Sequence, residues 1–571
     1  MIKKKLIINN FNKDNFYIFI GLGILAILNF SNTFSIRVKT SIFIILLTLF
    51  IYIYRKREKD LNLSFSFNNF FILIGGFILL IVTQNTYLNY ETISIDVPSY
   101  LVASQDIGFS ELPYEKQWES KGPLFMYMYK ALSVLSIKNL VIFKLLNDFI
   151  LFGISILIYK ISLIKSQNTL TSIFSSVFFI SITSHAWYVT ELSEIYCLLF
   201  ITYQYYLIIK YGLNKKTILL SSFLISLSSL VNQASVIFLI GLAFLVFFDK
   251  ELRNKLNNYL YLGIGFLTPH IFFIVLYSIN KLLNVYFTNY IKIPFGYVDS
   301  GKFDIYELVV WLRRYFIYNE FLYYSLITIG VLLFLQIINK DYVKNTYFNN
   351  NITYLILGFS IYVIAGHNYQ HHLFYSIVFI SIFTSLFKIN KLTVILYLLI
   401  SISSIQIILG SIGPSFNNLK SINDTLENYP LNQLAKEIDT IFDGEDYDVL
   451  AVDHLLLLYY LDKPNTSYII HPYNNFEEYI VEALVETGLL KTNENSHLSY
   501  YIELEPDVII CTPQAIIDGY PTKVGSNFFN CEITDYKKNY YQLDTEKYLN
   551  NLNREYYYDP YVEIDVFIKN S

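Results

Sequence analysis

Charge is scarce in this chain. Of 571 residues only 15% are Asp, Glu, Lys or Arg, against about 25% in a soluble globular domain, and 54% are hydrophobic. That balance excludes an ordinary water-soluble enzyme. Cysteine is almost missing: Cys197, Cys511 and Cys531 exclude a disulfide framework and leave room for one bond, between Cys511 and Cys531. No basic, aromatic-interleaved patch is present, so nucleic acid is not an expected partner. G-x-S-x-G, H-E-x-x-H, Walker A and G-x-G-x-x-G motifs are absent from any suitable strand and helix. The lone Asp-x-Asp, Asp446-Tyr447-Asp448, lacks the context of a nucleotide-sugar site. What is present is apolar and aromatic. A mean hydropathy of +0.41 and 18% aromatic residues exclude disorder, collagen and coiled coil. They point to a polytopic α-helical membrane protein.

The charge that does occur is divided. Of 46 acids and 42 bases, 27 and 10 lie from residue 413 onward, leaving 19 and 32 before it. Such opposite signs imply different surroundings. Three units are expected: an N-terminal membrane hairpin over 1–60, a membrane core over 61–412, and an acidic soluble unit over 413–571.

Apolar runs predict about thirteen membrane helices, near 16–34, 38–54, 66–87, 140–159, 168–185, 187–209, 217–232, 234–248, 257–279, 319–338, 352–366, 371–388 and 392–412. The basic start, Met1 to Lys5, has no small-residue cleavage site after it and reads as a retained anchor. With the N-terminus in the cytoplasm, six inside connections are short and basic. They carry Arg55-Lys56-Arg57, Lys160 and Lys165, Lys210 with Lys215 and Lys216, Lys250 with Arg253 and Lys255, Lys340 and Lys344, and Lys388 and Lys391. Arg37 and Lys39, in the first outside turn, depart from the rule. An odd number of spans then places 413–571 outside the cytoplasm.

Two outside loops are long, 88–139 and 280–318, with aromatic-rich stretches such as Tyr127-Met128-Tyr129 and Trp311 to Tyr318 that suit the membrane surface. Transporters tend to have short loops and repeated halves; no repeat is visible here. A site built at the outer face is the better expectation.

The first of these loops carries the most informative pattern. Asp96 stands directly after the third span, with Tyr100, Ala103, Gly108, Pro113-Tyr114 and Lys121-Gly122-Pro123-Leu124 behind it. A carboxylate at a membrane interface is expensive without a task or a partner. Alone, Asp96 reads as the cap of a loop helix. The spaced set D-x-x-x-Y-x-x-A…G…P-Y…K-G-P-L resembles the first outer loop of the GT-C glycosyltransferases, in the branch of protein O-mannosyltransferases and lipid A aminoarabinose transferases. Val97, Ser99 and Ser120 stand where that branch often has Glu, Arg and Glu, with Glu119 one step before Ser120. These departures count against aminoarabinose as the sugar. Since the family's Asp follows the first span, the two preceding spans would be an added hairpin.

The resemblance implies a GT-C-like core with a C-terminal extracytoplasmic α/β domain in a bacterial plasma (inner) membrane. It implies an inverting transferase that moves a sugar from a polyprenyl-phosphate donor to a lipid, glycan or protein acceptor. Asp96 would be the general base, assisted by an acidic residue of the second outer loop. Glu191 and Glu194 lie three apart on one helical face there, and the sequence does not choose between them. Lys121, with Arg313 or Arg314 of the 280–318 loop, would meet the donor phosphate. The alternative for these arginines, as for Lys292 and Lys302, is interfacial anchoring. His371 and His372, in the turn Gly366-His367-Asn368-Tyr369-Gln370-His371-His372, would hydrogen-bond or contact phosphate; the turn lacks regular zinc spacing. Tyr100 and Tyr114 would line the substrate site. A divalent metal is an optional cofactor.

Two other functions compete: a lipid-linked oligosaccharide transporter, for which Asp148 is the one clear acid inside a span, and an oligosaccharide polymerase or ligase. In the tail, strands are expected at Asp448 to Val452, Thr466 to Ile470 and Asp507 to Cys511, and helices at His454 to Leu461 and Phe476 to Leu490. Tyr540 to Tyr561, rich in Tyr, Asn and Glu, shows no clear period and reads as a lid, an acceptor surface or a cover over the membrane core.

Overall fold

The structure is a computed structural model. It describes residues 69–308, 346–386, 408–521, 539–549 and 564–570, with breaks at 93, 185–190, 250, 253–254, 301–303, 366–368, 494–495, 512–515 and 518–519, and a few isolated positions. The expected spans at 16–34 and 38–54, nearly all of 319–338, most of 392–412, and Arg313, Arg314, Lys302 and Trp311 to Tyr318 lie outside those residues.

Among the described residues, nine helices lead up to the second long loop: α1 Asn69–Gln84, α2 Asp96–Ser104, α3 Pro123–Leu135, α4 Leu140–Ser166, α5 Thr169–Thr183, α6 Ser193–Tyr211, α7 Lys215–Val231, α8 Ile237–Phe248 and α9 Leu256–Ile279. The asparagines in the turns help to start them. Asn139, Asn168 and Asn214 precede α4, α5 and α7, and each side-chain oxygen accepts a backbone N–H of the first turn. The second long loop contains α10, Ile293–Ser300, and beyond it come α11, Thr346–Ala365, and α12, Phe374–Thr384.

The helix α9 shows how the bundle meets its surroundings. Its 24 residues extend about 36 Å at 1.5 Å per residue, more than a bilayer's hydrocarbon thickness. Leu256, Leu260, Ile264, Leu267, Ile271 and Val275 recur at helical spacing and are all exposed. An uncovered apolar stripe of that length suits lipid. The opposite face is close-packed: a Cβ on Gly265 would lie 2.1 Å from Ser222 Oγ and 2.3 Å from the Leu219 carbonyl of α7, so only glycine fits that crossing. Three described helical segments, Phe70–Tyr87, Leu140–Ser166 and Leu256–Ile279, are long and apolar enough to cross a membrane. Thr169–Thr183, Gln233–Phe248, Asn350–Ile364 and His371–Thr384 are apolar but shorter. The described residues therefore show a helical protein with three such helices, and four of the thirteen expected spans lie wholly or mostly outside them.

The tail forms a small mixed sheet flanked by helices. Its strands are β1 Val449–Ala451, β2 Val508–Cys511, β3 Tyr540–Gln542 and β4 Asp565–Lys569, in the order β1-β2-β4-β3. The β1–β2 pair is parallel (Val449 opposite Val508) and the other two pairs are antiparallel. The expected strands at 448–452 and 507–511 are β1 and β2, and the expected helices shorten to Leu456–Leu461 and Glu478–Glu486. Two readings need correction. Thr466 to Ile470 is not a strand of this sheet: Trp118 of the 88–139 loop lies beside Ile469, and Trp118 N–H donates to the Tyr468 carbonyl at 2.7 Å. Tyr540 to Gln542, assigned to an aperiodic segment, is an edge strand. Cys511 is disulfide-bonded, Cys197 is a free buried thiol, and Cys531 lies outside the described residues.

Tail and helices share one interior. A single cluster of buried apolar side chains runs from Leu80 and Tyr129 through Tyr205 and Tyr375 to Leu434, Val449 and Ile568, crossing the boundary at 413 without a break. Tyr129, expected at the membrane surface, is fully buried within it. A polar joint lies alongside. The helix Pro430–Phe442 begins against Glu91, whose carboxylate accepts N–H groups of Leu431 and Asn432, both at 3.1 Å. An anion at a helix start meets the exposed N–H groups and the positive end of the dipole.

Candidate functional site

Asp96 opens α2, in the first turn, where the helix dipole favours a carboxylate. The rest of that helix is buried, so its position follows the core. About a quarter of the Asp96 side chain remains exposed. Tyr100, one turn on, is buried, and Lys121 Nζ sits 5.8 Å from the centre of its ring. Lys121 precedes Gly122 and Pro123, the N-cap and first residue of α3. Gly122 is needed where it stands. Its N–H donates to the Val231 carbonyl at 2.9 Å, and a Cβ there would lie 2.1 Å from the Leu230 carbonyl oxygen. The glycine of Lys-Gly-Pro-Leu thus lets the loop rest on the end of α7 and sets where Lys121 starts.

Tyr114 holds the same loop from the other side. Its backbone is left-handed (φ 67°), a conformation with a cost of about 1–3 kcal/mol for a residue with a Cβ. Three hydrogen bonds offset that cost: the Tyr114 hydroxyl donates to the Lys121 carbonyl (2.5 Å), Tyr468 donates to the Tyr114 carbonyl (2.5 Å), and Tyr277 donates to the Pro113 carbonyl (2.8 Å). Tyr114, expected to touch substrate, is buried and holds the Lys121 loop.

The pair left open by sequence separates in space. Glu194 begins α6, is buried, and accepts from Asn232 Nδ2 and Ser193 Oγ, each at 3.1 Å. Among the charged groups that bear on Lys121, it is the strongest, followed by Asp96 and Glu119. Glu191, also buried, exerts its charge on Lys144 and Asp148. Glu194 therefore belongs with Asp96 and Lys121. Asp148 itself accepts from Asn85 at 3.1 Å and lies in the third turn of α4, near one end of that helix.

His371 and His372 join the same place. His371 Nε2 is 4.0 Å from Glu194 Oε1, and ligand atoms of Glu194, His371 and His372 all lie within 4.8 Å of one another. Lys292, by contrast, is exposed and paired with Glu486 of the tail at 2.6 Å.

Two residues not anticipated as site residues complete the cluster. His471, from the tail, places Nε2 2.9 Å from Asp96 Oδ1. Glu119 is buried, with Oε1 accepting from Ser120 N (2.6 Å) and Ser120 Oγ (2.7 Å). Burial alone would raise the Asp96 carboxyl, yet the hydrogen bond and charge of His471, with Lys121 and His371 behind them, hold it well below the usual carboxylate range. His471 is pushed the other way: burial would lower it, and Asp96 and Glu119 raise it despite Lys121. Glu119 is raised, chiefly by burial. Lys121 is raised by its three carboxylate neighbours against the effect of burial. Three carboxylates, one ammonium and three imidazoles thus converge on one site within an otherwise apolar bundle. Such convergence is a physical mark of a functional site. No protein-family model matches this chain, and no curated protein matches it significantly.

Proposed function

We propose that this protein is a GT-C-type membrane glycosyltransferase of about thirteen spans, with its N-terminus in the cytoplasm and its site and tail at the outer face of a bacterial plasma membrane. It transfers a sugar from a polyprenyl-phosphate donor to a hydroxyl of a lipid, glycan or protein, with inversion. The observation that carries this reading is the half-buried, ionised Asp96, which with Glu194 acts on the buried Lys121, within an apolar bundle with lipid-suited faces.

In this reaction the acceptor oxygen bonds to the anomeric carbon as the bond from that carbon to phosphate breaks. Polyprenyl phosphate departs with the electron pair, and the hydroxyl proton goes to Asp96. Asp96 is a weak base, which suits the step: a hydroxyl becomes strongly acidic once its oxygen is partly bonded to carbon. Lys121, kept protonated, offsets charge on the departing phosphate from a water-poor position. Glu194, His371 and His372 form an oxygen-plus-two-nitrogen donor set whose ligand atoms all lie within 4.8 Å of one another, a set of the chemistry that binds a small divalent ion. They would hold such a metal, which supplies Lewis-acid polarisation of a phosphate oxygen when bound.

Purified protein in nanodiscs, given a labelled polyprenyl-phosphate sugar and membrane extract as acceptor source, should release polyprenyl phosphate and label an acceptor. Movement of intact donor between leaflets without release would favour transport and overturn the reading.

A further inference from the structure

The imidazole of His471 reaches Asp96 from 375 residues further along the chain. Its backbone is fixed on both sides. Ile470 N–H donates to the Trp118 carbonyl at 3.2 Å, and the His471 carbonyl accepts from Asn474 N (3.1 Å) and Asn475 Nδ2 (3.2 Å). The next residue, Pro472, has its φ restrained. The ring is 8% exposed and lies 5.7 Å from the ring of Tyr473. A carboxylate only accepts, so His471 carries a proton on Nε2 in this pair. The same segment reaches Lys121, through Tyr468 to the Tyr114 carbonyl and from the Tyr114 hydroxyl to the Lys121 carbonyl. One piece of the tail therefore touches the supports of both proposed reacting groups.

We infer that His471 is a positioning residue for Asp96: it occupies Oδ1, leaves Oδ2 to face the acceptor hydroxyl, and makes docking of the 468–472 segment part of assembling the site. This rests on the transferase reading. An undirected carboxylate rotates about its terminal torsion and presents either oxygen; one fixed oxygen removes that freedom before the substrate arrives. The titratable groups that interact electrostatically with the pair include Glu119, Lys121, His371, Tyr100, Tyr129, Tyr297 and Tyr369.

The test uses the full-length protein in nanodiscs with His471→Ala and His471→Gln. The alanine variant should lose about 10-fold to 100-fold in kcat, with KM for the polyprenyl-phosphate donor within about twofold of wild type. The glutamine variant, whose amide can donate to Oδ1, should recover at least a third of the lost rate. Alongside, the His471 side-chain 15N resonance is titrated in wild type and in Asp96→Asn. Its midpoint should fall in the variant, because the neighbouring charge is gone. An alanine variant within twofold of wild type, a glutamine variant no better than alanine, or an unmoved midpoint overturns the inference. Absence of any transfer by wild type defeats the transferase reading, while the imidazole titration still decides the pair.

Discussion

Replacing Gly122 by alanine perturbs the site without removing a functional group, and its effect can be worked from the coordinates. The added carbon would lie 2.1 Å from the Leu230 carbonyl oxygen and 2.6 Å from its carbon. Backbone on both sides cannot move away by a rotamer change. Real Cβ atoms essentially never come closer than 3.0 Å to such an atom, so the loop must retreat by about 1 Å from the end of α7. That retreat stretches the Gly122 N–H bond to Val231 and shifts Lys121, the adjacent residue. Overpacking of this kind typically costs about 1–3 kcal/mol of stability. A displacement near 1 Å at a reacting centre costs about 10²-fold in rate. Gly122→Ala should therefore melt a few degrees lower, insert normally, and turn over donor about 100-fold more slowly. Tryptophan fluorescence would follow unfolding, and release of polyprenyl phosphate would follow turnover. A variant with wild-type melting and turnover within threefold of wild type would refute the reasoning, because Lys121 would not depend on this contact.

Three further outcomes follow from the geometry. Glu194→Gln should lower donor turnover at least 10-fold and weaken divalent-ion binding measured by calorimetry, while Glu191→Gln leaves both within threefold; equal effects would contradict their separation. The Asp96–His471 pair sets a pH window. The lowered Asp96 stabilises the fold above its ordinary range near 3.8 and ceases to do so as pH falls through its folded value. The raised His471 stabilises below about 6.5 and ceases to do so as pH rises through its folded value. Hydrogen exchange in 466–476 should be slowest between about pH 4 and 6.5 and quicken on the alkaline side, after correction for intrinsic rates, and His471→Gln should abolish the alkaline change. Finally, a cysteine placed in the tail should react with an impermeant maleimide in intact spheroplasts; labelling only after lysis would reverse the sidedness.

The sequence made the helices legible through their long apolar runs, and β1 and β2 where short apolar runs followed acids; the Asn139, Asn168 and Asn214 caps emerge only in the structure. Asp96 stands out in one dimension through its cost at a membrane interface, whereas Lys121 is marked only by the resemblance of the spaced loop motif, and Glu194 is one of two acids between which the sequence does not choose. What the sequence could not show depends on long-range packing. His471 sits in an unremarkable turn before Pro472, and only the pairing of Trp118 with Tyr468 and Ile470 brings it to Asp96. Glu191 and Glu194 share a helical face by spacing, yet Glu191 precedes the start of α6 and exerts its charge on Lys144. Tyr114 is expected to touch substrate only through the resemblance of the loop motif; its left-handed backbone and its bond to Lys121 show a loop support. Tyr540 to Gln542 lacks a strand-like pattern because an edge strand needs only one buried neighbour, here Tyr540.

The central claim is that Asp96 receives the acceptor proton, and single-turnover transfer by Asp96→Asn tests it most directly. The amide keeps the shape and the contact to His471 but cannot accept the proton. A positioned base contributes about 10²–10⁴-fold, so the account predicts a loss of that size, with normal insertion and with Asp106→Asn, an exposed neighbour in the same loop, close to wild type. Retention of more than about a tenth of wild-type turnover by Asp96→Asn would contradict it.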